Sequence, residues 1–350
     1  MTAEATFRGA LARVHRVDEK LYQRALARHA ALTKPPGSLG ALEPLGARLA
    51  AVLGTLKPRP EGRAVAVFAA DHGVAAAGVS AYPQSVTAGM VRNFLAGGAA
   101  VNALAAAAGA KLLIVDVGVA ADVDDHPALW SRKVARGTRN MLHGPAMTRA
   151  ELFAACAAGV EAAEHLAARG AVLLAGGEMG IGNTTAAAAL TAHLTGAPAR
   201  AVTGRGSGLD DAGLARKVAV VEQVLERHGE QATEPLEALR RFGGLEIAAL
   251  TGFYVGAAAL RAPVVLDGFI ATAAALVAAA LAPAVRDYLF AAHRSQEPGH
   301  AVQLQHLGLT PLFDLGLRLG EGSGAVLAFG LLEGAAAVLR DMATFEEAGL

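Results

Sequence analysis

One glutamate set among glycines, Gly320-Glu321-Gly322-Ser323-Gly324, is the first group in this chain that could do chemistry. Each glycine costs a helix about 0.5–1 kcal/mol, so three in five positions suit a backbone fitted closely around something. A carboxylate held there could accept a proton from a bound molecule. A plain connection between two helical stretches fits equally well, with a glycine C-cap and an acid in the next first turn. A second glycine-rich segment, Ala171–Thr185 (AVLLAGGEMGIGNTT), reads as a strand, a loop carrying Glu178, and a helix starting near Asn183 or Thr184. Exposed backbone N–H groups and a positive helix end make an anion site there. A tight strand-to-helix turn without a ligand fits the spacing equally. Gly177 to Thr184 approaches the P-loop pattern, but Asn183 stands where the lysine must be. A triphosphate would be poorly held, whereas a single phosphate remains compatible.

Two further segments carry polar side chains. Thr203–Asp211 (TGRGSGLDD) runs into a helix bearing Arg216 and Lys217. Asp210 and Asp211 suit an N-cap and a first-turn acid better than a pair of Mg²⁺ ligands. Lys217, about two turns into that helix, could reach a phosphate or lie in solvent. His293–His300 (HRSQEPGH) holds two histidines seven apart, a weak metal signal without an H-E-x-x-H motif. No metal and no cofactor are expected, and the chain lacks the G-x-S-x-G elbow of a hydrolase.

These groups need a scaffold. Short apolar runs at Ala64–Ala70, Lys111–Val117, Ala171–Ala175 and Pro263–Leu266 alternate with long Ala-rich helical runs. Continuous apolar strands separated by helices indicate βαβ units. The expected fold is α/β, a mostly parallel open sheet with helices on both faces, Rossmann-like. The runs end in Asp71-His72-Gly73, Asp116-Val117-Gly118, Gly176-Gly177-Glu178 and Asp267-Gly268. Any one acid is best read as a cap, but four together mark a ligand crevice at the carboxyl edge of the sheet. The first 30 residues read as a polar helical segment, the Lys34–Gly40 stretch breaks it, and a helix is expected over Ala41–Leu53.

Composition narrows the partners. Lys plus Arg and Asp plus Glu are each 31, so no global field draws nucleic acid, and any anion must be held by a local site. Mean hydropathy is +0.38, yet the longest apolar run, Ala271–Leu281, is mostly alanine and stops short of the roughly 20 residues of a bilayer span. No membrane association is expected, and the 41 glycines suit closely packed helices instead. The N-terminal twenty residues lack the apolar core of a signal peptide. The single cysteine, Cys156, reads as a buried bystander. A cytoplasmic protein is expected.

Six ordered segments then carry a resemblance: KPPGSLGALEPLGARLA, ADHGV at 70–74, GEMGIGNTT at 177–185, LDDAGLARKV at 209–218, LDGF at 266–269 and RLGEGSGA at 318–325. Together they resemble the nicotinate-nucleotide–dimethylbenzimidazole phosphoribosyltransferase family, from about Lys34 to Leu339. The resemblance implies transfer of phosphoribose from nicotinate mononucleotide to 5,6-dimethylbenzimidazole, for the lower ligand of cobalamin. It implies a homodimer, with a large α/β domain (30–285 and 320–345) and a small helical domain (1–29 and 286–319). Glu321 matches the family's general base, and Glu178 is a candidate second carboxylate near the ribose. Gly180, Gly182, Asn183, Lys217 and Ser295 would hold the phosphate and nucleotide. Tyr82, Gln84, Met90, Met179 and Leu319 would hold the acceptor base. Tyr82 and Gln84 fall in a stretch that varies among relatives, some of which accept other benzimidazoles, purines or phenols. A Mg²⁺-dependent transferase using phosphoribosyl pyrophosphate would want an acidic pair, and VVLDG offers one acid. A non-catalytic carrier of a neutral heterocycle would not need Glu321.

Overall fold

The computed structural model describes residues 1–350. Six parallel strands form one sheet: β1 (Arg63–Ala70), β2 (Ala110–Gly118), β3 (Leu129–Ser131), β4 (Leu173–Met179), β5 (Val264–Leu266) and β6 (Leu289–Ala291). Their order is β3-β2-β1-β4-β5-β6. The chain winds outward in one direction from β1 and in the other from β4, so the strand order reverses between them. Loops at the carboxyl ends of β1 and β4 therefore diverge and leave a crevice, the usual ligand position in open α/β sheets. In register, Phe68 of β1 lies beside Glu178 of β4, which puts Glu178 at that crevice.

The four longer apolar runs form β1, β2, β4 and β5. The edge strands β3 and β6, three residues each like β5, were not anticipated. Gly176, Gly177 and Glu178 differ from expectation: they belong to β4 rather than to a loop after it, because packing on both faces requires bare backbone. A Cβ on Gly176 would meet Leu250 and Tyr254, and one on Gly177 would meet the backbone at Glu321 and Gly322. The Gly320 loop, expected between two helical stretches, is preceded by irregular chain instead. Helix Pro298–Leu307 ends at left-handed Gly308, and the chain then runs without helix through Pro311 and Gly316 to Gly320.

Helix Leu245–Ala259 covers one face of the sheet, and helices Ala100–Ala107 and Ser323–Asp341 cover the other. Small residues let helices approach at backbone distance. A Cβ on Gly159 would strike the Ala249 carbonyl, and one on Gly252 would strike the Cys156 carbonyl. Cys156 is fully buried between them, and burial pushes its thiol pKa up. Ser323–Asp341 is long and apolar enough to cross a membrane, but 56% of its apolar window is buried against the sheet and neighbouring helices. Polar helix Glu19–Ala31 starts at Asp18, whose carboxylate accepts from Lys20 and Leu21 N–H. Leu289–Ala291 pair with β5 inside the main sheet, and Phe290 and Leu304 join the same core as Phe7. The 286–319 segment thus shares its packing with the large unit.

Candidate active site

Glu321 lies in a left-handed turn of three consecutive residues, with φ of +88° at Gly320, +64° at Glu321 and +83° at Gly322. A side chain in that region is uncommon and costs about 1–2 kcal/mol, so the surroundings must enforce it. Asp267, one residue past β5, does so: its carboxylate accepts from Gly322 N–H at 3.1 Å and from Ala325 N–H at 3.0 Å. The Ser323 hydroxyl donates to the Gly320 carbonyl at 2.7 Å. The Glu321 carboxylate accepts from Val101 N–H at 3.3 Å, in the first turn of helix Ala100–Ala107. Burial raises the Glu321 pKa above the ordinary glutamate value, the Val101 N–H draws it back, and the Asp267 charge raises it further.

Glu178 shares this acidic neighbourhood. Its Oε2 accepts from the Asn183 side chain, and its Oε1 faces Gly320, where a Cβ would collide with it. Burial, followed by the Glu246 and Asp267 carboxylates, pushes the Glu178 pKa up to about 8. At neutral pH it is therefore mainly protonated and able to donate a hydrogen bond. Of the four acids at strand ends, Glu178 alone lines the cavity. Asp71 accepts from Ala120 N–H, and Asp116 from Gly118 and Val119 N–H.

Beyond β4 the chain turns through Gly180-Ile181-Gly182 into helix Asn183–Thr195. Its bare backbone is required, because a Cβ on Gly180 would strike the Ala70 carbonyl. Below this turn lies a buried pair, His72 Nε2 to Glu246 Oε1, at 2.6 Å. Lys217 is completely buried and donates to Thr184 Oγ1 at 2.8 Å and to the Gly204 carbonyl at 3.0 Å. Burial lowers its pKa to about 8, partly offset by Glu297. Ser295 N–H donates to His300 Nδ1 at 2.9 Å, and burial drives the His300 pKa down to about 3, keeping that ring neutral.

A cavity of about 430 Å³ joins these groups. Its lining includes Glu178, Gly180, Gly182, Asn183, Thr184 and Ser295 together with Tyr82, Met90, Met179, Leu319 and Glu321. The polar and glycine residues fit a phosphate and a sugar, and the apolar ones beside Glu321 fit a flat heterocycle.

A family model described as a phosphoribosyltransferase matches residues 14–350. A nicotinate-nucleotide–dimethylbenzimidazole phosphoribosyltransferase of Deinococcus radiodurans is 55% identical over 346 residues, 97% of this chain and 94% of that protein. Its counterpart in Roseiflexus sp. (strain RS-1) is 52% identical over 340 residues, 97% of this chain and 96% of that protein. The crystal structure of the Thermus thermophilus enzyme of that name superposes with a TM-score of 0.91 at 53% identity, covering 95% of this chain and 98% of that one. The chain belongs to the nicotinate-nucleotide–dimethylbenzimidazole phosphoribosyltransferase family.

Ten of the twelve residues expected to form this phosphoribosyltransferase's site line the one cavity. Two do not. Gln84 is exposed in the turn before helix Val86–Leu95 and stays outside, while Val86 and Met90 of that helix reach in. Lys217 stands behind the wall, touching cavity-lining Thr184, with its Nζ just behind Gly206. His293, weighed in the sequence only as a weak metal signal, lines the cavity, as does Glu297 of the same HRSQEPGH segment, which sequence reasoning passed over. Sequence reasoning also passed over Ser80, Ser207 and Arg318 of the lining. Arg318 sits inside a quoted motif, so a count of cations near the acids could have found it. The Val101 N–H has no signal in sequence.

Gly177 offers a test of how the Glu321 turn is held. A Cβ there would lie 2.6 Å from Gly322 N, with backbone rather than a flexible side chain in the way. Gly177→Ala is expected to lower stability by about 1–3 kcal/mol and to reduce kcat roughly tenfold by shifting Glu321. Thermal unfolding and initial rates check this, and a wild-type kcat would show that the turn tolerates the displacement.

Proposed function

We propose that this enzyme transfers phosphoribose from nicotinate mononucleotide to 5,6-dimethylbenzimidazole, giving α-ribazole 5′-phosphate and nicotinate. One benzimidazole nitrogen attacks ribose C1′ while the C1′–N bond to the pyridinium breaks. The bonding pair returns to the pyridine ring, so nicotinate leaves without needing a proton. The attacking heterocycle becomes cationic, and its other N–H gives its proton to Glu321. Direct displacement inverts the β-nucleotide to the α-product and requires no covalent enzyme intermediate. The observation that carries this reading is a buried carboxylate, in an enforced left-handed turn, lining the same cavity as a glycine turn backed by Lys217.

In this reading Gly180, Gly182, Asn183, Lys217 and Ser295 hold the nucleotide phosphate and sugar. Glu178 contacts the ribose and can donate a hydrogen bond to it. Tyr82, Met90, Met179 and Leu319 enclose the acceptor, with Gln84 outside the cavity. We further propose a homodimer working in the cytoplasm. Leu327 and Leu331, one turn apart on helix Ser323–Asp341, are each 40% exposed and give an apolar face that a second copy would cover.

Incubation with nicotinate mononucleotide and a panel of benzimidazoles, adenine and phenols, with products read by mass, tests the reaction and ranks the acceptors. Failure to form any α-linked ribotide would sink it. The pH profile is a second check. Glu321 must be ionised to accept the proton, and its pKa is raised. The acid limb of kcat/KM is therefore expected at a pH above the ordinary glutamate range, with rate lost as pH falls through it. A limb at or below the ordinary glutamate value of 4.5 would speak against Glu321.

A further inference from the structure

Three carboxylic side chains, Glu178, Glu297 and Glu321, line the reaction cavity together with a single guanidinium, Arg318. Arg318 also borders a neighbouring cavity of about 460 Å³, which shares Gly206, Glu297 and Arg318 with the first. The other arginine of that second cavity is already engaged: Arg205 pairs with Asp211 at 2.5 Å and donates to the Leu209 carbonyl at 2.9 Å. Arg318 has no acidic partner and no side-chain hydrogen bond, although its backbone is held in place. The carbonyl of Leu317, just before it, accepts from Gln296 N–H at 3.0 Å.

The donor nucleotide carries two anionic groups. The phosphate is answered by the glycine turn and Lys217. The pyridine carboxylate would otherwise meet a cavity lined by acids. As the C1′–N bond breaks, the ring nitrogen loses its positive charge, and the departing base changes from a zwitterion to a net anion. A cation placed against its carboxylate is thus worth more late in the reaction than at the start, which is the condition for raising rate rather than affinity alone. A guanidinium presents two parallel donors that match a carboxylate and cannot be matched by a neutral amide.

We propose that Arg318 binds the carboxylate of the departing nicotinate and sets the preference for nicotinate mononucleotide over nicotinamide mononucleotide. This rests on the reaction proposed above and adds a specificity residue to it. The test compares kcat/KM for the two donors in wild type, Arg318→Gln and Arg318→Lys. Nicotinate and nicotinamide are compared as product inhibitors in the same variants, which needs no turnover of the amide donor.

Arg318→Gln is expected to lower kcat/KM for nicotinate mononucleotide at least tenfold and to weaken nicotinate inhibition in parallel. Use of nicotinamide mononucleotide, inhibition by nicotinamide and the KM for dimethylbenzimidazole should stay within about threefold. Arg318→Lys, which keeps the charge without the fork, should fall between. Equal losses for both donors would overturn the assignment and give Arg318 to the phosphate. Undiminished nicotinate inhibition would overturn it as well. A wild-type enzyme that makes no α-ribazole 5′-phosphate would remove the underlying reaction instead, a result separable from the behaviour of the variants.

Discussion

Glu321→Gln should lower kcat by roughly 10²–10⁴, the range for loss of a general base, while the KM for either substrate changes only a few-fold. Glutamine is nearly isosteric and can keep its oxygen on the Val101 N–H, so the helix start that faces Glu321 stays satisfied. The backbone turn is enforced by Asp267 and Ser323 rather than by the Glu321 side chain, so the fold should survive. The amide cannot take the proton that the benzimidazole must lose as it gains a bond to C1′, nor offset the charge that forms on the ring. Steady-state kinetics with a thermal unfolding control reads both effects. A variant that folds and turns over at the wild-type rate would take the proton-accepting role away from Glu321.

Lys217→Met is expected to raise the KM for nicotinate mononucleotide roughly 10–100-fold, as befits loss of a positive charge standing just behind the phosphate site, worth a few kcal/mol through space at an effective dielectric of about 20. The ammonium is buried, its pKa is drawn down to about 8, and Glu297 is the acid that offsets the shift. A phosphate dianion on the far side of Thr184 would supply the missing counter-charge. Methionine fills much of the same volume but leaves Thr184 Oγ1, the Gly204 carbonyl and the Glu297 charge without the ammonium, so thermal stability should fall, and a thermal unfolding control accompanies the kinetics. The KM for dimethylbenzimidazole should move less than about threefold, because Lys217 hydrogen-bonds to Thr184 and Gly204 and to none of the residues proposed to enclose the acceptor. Equal nucleotide affinity in titration calorimetry would refute a phosphate role for Lys217.

Much of this was legible in the chain. The strands β1, β2, β4 and β5 are continuous apolar runs because both their faces are covered, and a burial pattern of that kind is written directly in residue order. Glu321 and the Gly180–Asn183 turn stood out through glycine, whose use at left-handed or closely packed positions is local chemistry. The edge strands β3 and β6 were not picked out, whereas β5, equally short, stood out as an unbroken apolar run ending in Asp267-Gly268. Gln84 was drawn into the site by its neighbours along the chain, yet it turns outward where Met90, further along, turns in.

What the sequence determined alone was an alternating α/β chain with acids and glycines at its strand ends, since propensity, periodicity and turn chemistry act between near neighbours. Tertiary structure decided which acids matter. The left-handed Glu321 turn is held by Asp267 from 54 residues away, and the raised pKa of Glu178 comes from burial among carboxylates brought in by other strands and helices. Desolvation and through-space charge depend on distance in the folded protein, and no spacing along the chain encodes that distance.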